Sequence, residues 1–380
     1  MKMMKKVLSA VVVLSMTMML LAGCGSKPAD DQGEAAGITK ENIKVGVIHI
    51  GDPADGSGYS YTHDIGIVEM QNQMGLADEQ IIRKNNINDT DPTAIETAIR
   101  ECIEEGANII FATSWGYMDT CEALAAEFPD VIFSHGTGYK SNGANFNNYF
   151  GRIYQARYLS GIVAGMKTKT NKIGYVAAMG SDNSEVTGGI DAFALGIASV
   201  NEDAEVYVKV TNSWYDPEGE SAAAQSLVDD GCDVIAQHCD TANPPIVAEK
   251  AGVYAIGYNS DMSKEAPGSV LCSVLWNWGA YYTEAVQSVL DGTWNGESIE
   301  NYYKGMDVGL VALSEMNHVD DEVKAAVADA QAKIEDGSFN VFDGVMETND
   351  GQTIGEEGGT LDDATITGGI NWYYKNVVVK

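Results

Sequence analysis

Ile43-Lys44-Val45-Gly46-Val47-Ile48-His49-Ile50, running directly into Gly51-Asp52-Pro53-Ala54-Asp55-Gly56-Ser57-Gly58, decides how this chain folds. The first eight residues carry enough β-branched and apolar side chains for a strand. The next eight form a Gly-rich turn, and the pattern beyond them predicts a helix from about Tyr61 to Met74. The unit then repeats. Strands are expected at 80–84, 108–112 and 131–134, with helices at 92–105 and 118–128 between them. Asp91 is placed as an N-cap and Pro92 at the first helical position. A second series follows, with strands at 173–177, 205–210, 233–237 and 253–258 and helices at 185–200 and 217–230. Between the two series, 148–167 holds a long helix with Arg157, Tyr158, Leu159, Ile162 and Val163. Alternation at this spacing argues for parallel sheets covered on both faces, so the expectation is α/β, with two doubly wound lobes.

In such sheets ligands bind beyond the carboxyl ends of the strands, and two lobes facing each other would line one cleft. Tyr59, Tyr61, His63, Trp115, Tyr117, His135, Asn183, Trp214, His238, Asp240 and Asp261 all follow predicted strands. Aromatic faces hold a flat ring by stacking, and carboxylates accept its N–H or O–H groups. The set suits a flat, neutral, polar-edged solute; the plainer reading of each aromatic is packing against the nearest helix.

Other chemistries find less support. The turn 51–58 lacks the Gly-Lys-Ser/Thr of a P-loop and the spacing of a dinucleotide fingerprint, and its two acids repel phosphate. It also lacks the run of oxygen ligands that calcium needs. No histidine pair has zincin spacing, and Gln237-His238-Cys239-Asp240 is the most metal-like tetrad. No Gly-x-Ser-x-Gly elbow is present. A tethered hydrolase stays open as a reading from another class, because triads assemble in space rather than in sequence. Cys102, Cys121, Cys232, Cys239 and Cys272 lie in apolar or small-residue settings that suit buried free thiols, although one pair could still form.

The amino-terminal end carries its own signal. Lys2, Lys5 and Lys6 precede sixteen apolar-leaning residues, Val7 to Ala22, and Leu21-Ala22-Gly23-Cys24 closes the run. Charged start, apolar middle and small-residue exit describe a secretory signal over 1–23. Cys24 in this position resembles a lipobox cysteine, lipidated as the mature first residue. An ordinary signal peptide or an uncleaved membrane helix is the alternative, but the run is short against the roughly 20 residues a span needs. Residues 24–41 are small, polar and charged and read as a flexible stalk. Loss of three lysines with the signal moves the formal charge from −32 to −35. Such a surface repels nucleic acid and anionic headgroups, which excludes a DNA- or RNA-binding role. The expected place is the outer face of the cell membrane, held by lipid.

Several stretches then occur in a telling order: Ile48 to Asp64, Gly151-Arg152-Ile153-Tyr154-Gln155-Ala156-Arg157-Tyr158-Leu159-Ser160-Gly161, Ala255-Ile256-Gly257-Tyr258-Asn259-Ser260-Asp261, and Gly368-Gly369-Ile370-Asn371-Trp372-Tyr373. On these the chain resembles the basic membrane protein (BMP) family of lipoproteins from about Ile43 to its end. These are solute-binding components of ABC importers, with purine nucleoside ligands. The resemblance implies the type I periplasmic-binding-protein fold, an ABC permease as partner, a monomer, no cofactor and no enzymatic activity. It also implies that Tyr59 or Tyr61 stacks on the base and that Trp115-Gly116-Tyr117-Met118-Asp119 supplies an aspartate to the base edge. Asp261 matches the aspartate that binds ribose hydroxyls.

One position departs from the family. Nucleoside-binding members carry a lysine after Ser-x-Leu that helps to hold ribose, whereas Ser273-Val274-Leu275 is followed here by Trp276. Either Trp276 fills the ribose side and favours a free purine base such as adenine, or Trp276 or Trp278 packs in the core at the hinge and ribose still fits. A sugar is the rival solute. The same resemblance divides the chain into lobe one (42–149 and 276–300), lobe two (150–275 and 301–346) and a tail (347–380) packed on the lobes. Three crossings near Tyr149, Ser273 and Asn301 would form the hinge.

Overall fold

A computed structural model describes residues 37–294 and 301–380. The signal peptide 1–23, Cys24 and most of the stalk lie outside the described residues, as do the last six residues, 295–300, of the second segment assigned to lobe one.

The first series builds β1 (Val45–Ile48), α1 (Gly58–Met74), β2 (Ile81–Lys84), α2 (Pro92–Glu104), β3 (Ile109–Ala112), α3 (Met118–Glu127), β4 (Ile132–Gly136) and β5 (Phe146–Gly151). The chain then enters a second series: α4 (Tyr154–Lys167), β6 (Lys172–Ala177), α5 (Ser184–Ala198), β7 (Glu205–Val210), α6 (Pro217–Asp229), β8 (Val234–His238), α7 (Asn243–Ala251), β9 (Tyr254–Asn259) and β10 (Val270–Trp276). It returns through α8 (Trp278–Leu290) and β11 (Tyr302–Lys304), then crosses again to β12 (Val311–Leu313) and α9 (Asp321–Glu335). The last part holds a hairpin, β13 (Met346–Glu347) with β14 (Thr353–Ile354), then α10 (Asp363–Gly368) and β15 (Val377–Val379).

Strands pair into a six-stranded sheet, β11-β5-β4-β3-β1-β2, and a seven-stranded sheet, β12-β10-β9-β8-β6-β7-β15. Only β12 runs antiparallel to its neighbour in these two sheets. Alternate side chains go to opposite helix layers, as the pleat requires. In the first sheet Val45, Val47, Ile109 and Phe111 join the α1 and α8 side, while Ile48, Ile110 and Phe133 join α2 and α3. In the second, Ile173, Tyr175 and Val206 meet α4 and α5, while Val176, Ile235 and Ala255 meet α6 and α7. The fold is mixed α/β with parallel sheets, as expected. Asp91 caps α2 by accepting from the Thr93 and Ala94 amides, with Pro92 at the first position.

Three departures have physical causes. The segment read as one long helix region begins with β5, whose Phe-Asn-Asn-Tyr-Phe-Gly sequence hides a strand because asparagine disfavours strands. Here Asn148 Nδ2 donates to Asn301 Oδ1 at 2.6 Å, so its amide is used across the sheet edge. Helix α7 opens with Asn243-Pro244-Pro245, which reads as a loop, yet proline is well suited to a first turn. Finally, β11 pairs with β5 in the first sheet, although sequence assigns 301–346 to the second lobe. The chain therefore passes between sheets after Gly151, after Trp276 and after Lys304.

Candidate ligand-binding cleft

Carboxyl ends of both sheets open onto one cavity of about 1310 Å³. The first sheet contributes Tyr59 after β1, Asp89 after β2, Ser114 and Trp115 after β3, Thr137 to Tyr139 after β4, and Asn148 and Phe150 on β5. The second contributes Met179 and Asp182 to Glu185 after β6, Asn212 to Tyr215 after β7, Asp240 after β8 and Tyr258 on β9. Tyr154, Asn301, Tyr303 and α10 add to the lining. This is the strand-end arrangement the alternating pattern implied.

Of the residues singled out from sequence, Tyr59, Trp115, Trp214 and Asp240 are brought together in this lining, with Asn183. Tyr59 stands in the first turn of α1, donates to the Thr113 carbonyl and meets His63 edge-on at 4.4 Å. Trp115 is 56% exposed and leans on Tyr139 at 5.6 Å. Trp214 meets the buried His238 edge-on at 5.8 Å. Asn183 spends its side-chain oxygen capping α5, accepting from the Val186 amide at 3.1 Å.

The other candidates lie elsewhere. Tyr61 sits two residues beyond Tyr59 on α1, a rotation that turns it away from the cavity, and it is absent from the lining. Tyr117 is fully buried beneath the loop, its hydroxyl donating to the Ile87 carbonyl at 2.6 Å. Asp119 pairs with Lys140 at 2.9 Å on the surface instead of facing a base. His135 is buried against the Ser114 carbonyl at 2.7 Å. His63 stacks on Trp278 at 4.4 Å inside the first lobe. Asp261 is exposed and accepts from the Ser263 amide at 2.9 Å, closing a turn outside the lining.

Trp276 also fails to reach the cavity. It is buried at the end of β10, stacks on Trp278 at 4.3 Å and lies against Phe150 at 5.0 Å. Its indole N–H donates to the Tyr258 hydroxyl at 3.2 Å. Phe150 and Tyr258 line the cleft, so Trp276 supports two wall residues from behind.

Electrostatics are one-sided. Asp89, Asp182, Glu185, Asp240 and Asp363 line the cavity, and among the described residues no lysine, arginine or histidine does. Burial pushes the Glu185 carboxyl up to about 7, with the nearby Asp240 charge adding and the Arg157 charge opposing. Burial likewise lifts Asp240 to about 7, against a hydrogen bond from Asn259 at 2.8 Å and with the Glu220 charge adding. Arg157 lies buried behind this wall, 4.1 Å over the Tyr258 ring and bonded to the Gln237 carbonyl at 2.5 Å. His238, 3.6 Å from Glu185, has its pKa pushed well down by burial and then by the Arg157 charge, which keeps it neutral. Among the described residues no group of three His, Cys, Asp or Glu side chains is placed to hold a metal. The five described cysteines are buried and free.

Sequence reasoning passed over Glu185, although it follows β6 by the same rule that selected Asn183. Phe150 was hidden with β5. Tyr303 and Asp363 come from segments assigned no site role.

A family model for ABC transporter substrate-binding proteins of the PnrA-like type matches residues 43–341. The chain belongs to the Bmp family. It is 38% identical over 342 residues to a purine-binding protein of Brucella abortus, covering 90% of this chain and 95% of that one. It is 35% identical over 306 residues to a putative ABC transporter glucose-binding protein of Haloferax volcanii, covering 80% and 74%. An ABC transporter solute-binding protein from Conexibacter woesei superposes with a TM-score of 0.63 at 20% identity, covering 78% of this chain and 98% of that one. That likeness shows the type I periplasmic-binding fold. The protein is thus an extracytoplasmic solute-binding component of the Bmp family. Among the described residues no helix is long and apolar enough to cross a membrane.

Proposed function

We propose that this Bmp protein captures a purine between its lobes for an ABC permease, with a free base such as adenine preferred. The observation that carries this reading is the lining: among the described residues it holds nine aromatic and five carboxyl side chains and no cationic one. Stacking between aromatic faces suits a flat heterocycle. An acidic wall excludes nucleotides and sugar phosphates by repulsion, and its carboxylates accept ring N–H and exocyclic amine protons. A free base carries at N9 an N–H that its nucleoside lacks, so a carboxylate placed at that edge selects the base, although ribose hydroxyls donate equally well elsewhere on the wall. Tyr59 and Trp115 are the stacking residues of this reading, and Glu185 and Asp240 the acceptors.

One observation favours a nucleoside instead. The cavity exceeds the roughly 300–1,000 Å³ common for small-molecule sites, and Trp276 occupies none of it. Mass spectrometry of the solute released by denaturing the purified protein separates the readings. A purine base supports the proposal, a nucleoside supports the second reading, and a hexose would overturn both.

Tethering by lipid at Cys24 belongs to the same proposal, because Leu21-Ala22-Gly23-Cys24 closes an apolar run behind three lysines. A membrane anchor keeps the captured solute close to its permease. Fatty-acid labelling should mark the wild-type chain and vanish in Cys24→Ser; retained labelling contradicts the anchor. Closure is proposed to occur about the three passages between sheets, with bound solute favouring the closed arrangement.

A further inference from the structure

We infer that the carboxyl-terminal segment is a third wall of the cleft and sets the size of solute accepted. The inference rests on the cleft being the solute site. The family match ends at residue 341, yet Asp363, Ala364, Ile366, Thr367 and Gly368 of α10 line the cavity. A tail that merely docked on the outside of a lobe would contribute nothing there.

Attachments on both sides hold this wall in place. On the second lobe, Ile366 and Ile370 are buried, and a Cβ on Gly188 of α5 would stand 3.2 Å from the Ile370 side chain. The Tyr374 amide donates to the buried Asp191 of α5 at 2.7 Å, and β15 adds to the sheet beside β7. On the hinge side, Arg152 follows β5 at the first passage between sheets. Its guanidinium donates twice to Asp363, from Nε at 3.1 Å and from Nη2 at 2.6 Å. It also lies 5.3 Å over the Tyr303 ring, and its amide donates to the Lys304 carbonyl at 2.8 Å.

A bidentate pair fixes direction as well as distance. Arg152 is therefore a positioning residue: it ties α10 to the strands where the chain crosses between lobes. Between these attachments α10 turns Ala364, Thr367 and Gly368 toward the cavity. All three are small and exposed, so the wall leaves room where a larger side chain would take it.

The test is calorimetry of the full mature chain with adenine, adenosine and glucose, for wild type, Thr367→Trp, Arg152→Gln and the exchange Arg152→Asp with Asp363→Arg. Thr367→Trp changes an exposed position, so melting should be unchanged. Its expected effect is a loss of about tenfold or more for adenosine and a smaller loss for adenine, because one misfit in a pocket discriminates on that scale. Arg152→Gln should weaken binding by about twofold to fivefold, the scale of a half-exposed ion pair, and the exchanged pair should restore it. Hydrogen exchange over 362–369 should quicken in Arg152→Gln and recover in the exchange, which a general loss of stability would not reproduce. Wild-type binding with Thr367→Trp unchanged for every solute overturns the wall alone. A wild-type chain that binds none of the three overturns the cleft reading and this inference with it.

Discussion

Gly58, the first residue of α1, lies directly against the main-chain carbonyl of Asp240, which follows β8 in the opposite sheet. A Cβ at Gly58 would stand 2.5 Å from that oxygen, and the glycine holds φ at +83, close to the +78 of nearby Gly56. The two lobes thus meet where only a hydrogen fits. Gly58→Ala should weaken purine binding by about tenfold, since it obstructs the lobe contact as well as straining the backbone. Gly56→Ala is the control: it carries a similar positive φ, with nothing within 4 Å of its Cβ. Calorimetry of both variants checks this, and equal affinities would show that the contact is not part of the bound state.

Two tryptophans separate binding from stability. Trp276 is 4% exposed and stacked, so Trp276→Ala should cost about 3–5 kcal/mol of stability. Trp115 is 56% exposed, and Trp115→Ala should change stability by about 0.5 kcal/mol or less while weakening purine binding. Denaturant titration and calorimetry on both variants provide the check. The assignment of roles fails if Trp115→Ala binds as wild type does.

Purine affinity should rise with pH through about 7. Glu185 and Asp240 both titrate up to about 7 in the free cleft. Ring N–H donors bind the ionised carboxylates, so binding releases protons below about pH 7 and tightens from pH 6 to 8 by about tenfold in all for each carboxyl, levelling off above. Calorimetry in buffers of different ionisation enthalpy reads the release directly. Proton uptake, or a flat profile, contradicts the assignment of these two groups as acceptors.

The buried Asp191 makes a different pH statement. Burial pushes its carboxyl well above the usual range, opposed by the hydrogen bond from Tyr374. The folded state therefore keeps a proton that the unfolded chain loses. Stability from this group is present at low pH and declines as pH rises past about 4, the unfolded carboxyl value. Asp191→Asn should remove that decline and retain the Tyr374 bond. Asp191→Ala should cost about 1–3 kcal/mol by leaving the Tyr374 amide unpaired. Melting curves from pH 4 to 8 distinguish the two, and an unaltered pH profile in Asp191→Asn counts against a protonated Asp191.

The α/β alternation was legible because short apolar runs and capped helices recur at regular spacing. Asp91-Pro92 marked the start of α2 to the residue, and Pro217 that of α6. What stayed hidden depended on contacts made in space. Asn147 and Asn148 disguised β5, and Phe150 was lost with it. The strand-end rule picked out Tyr59, Trp115, Trp214 and Asp240, which line the cavity, but it could not assign rotation about a helix or depth below a loop. Tyr61, Tyr117 and Asp119 show that limit. Trp276 stands out as a departure in sequence, yet its indole packs on Trp278 and Tyr258 and does not line the cavity. The wall at α10 lies far along the chain from every strand end that the pattern exposed, and contacts made in space bring it there: the Arg152–Asp363 pair, the buried Ile366 and Ile370, the Tyr374 bond to Asp191 and β15 beside β7.

Calorimetric titration of the ligand-free chain with adenine, adenosine and glucose decides among the three solutes. One purine is expected to bind per chain, adenine more tightly than adenosine, with no glucose binding. Binding of glucose without either purine would contradict that expectation.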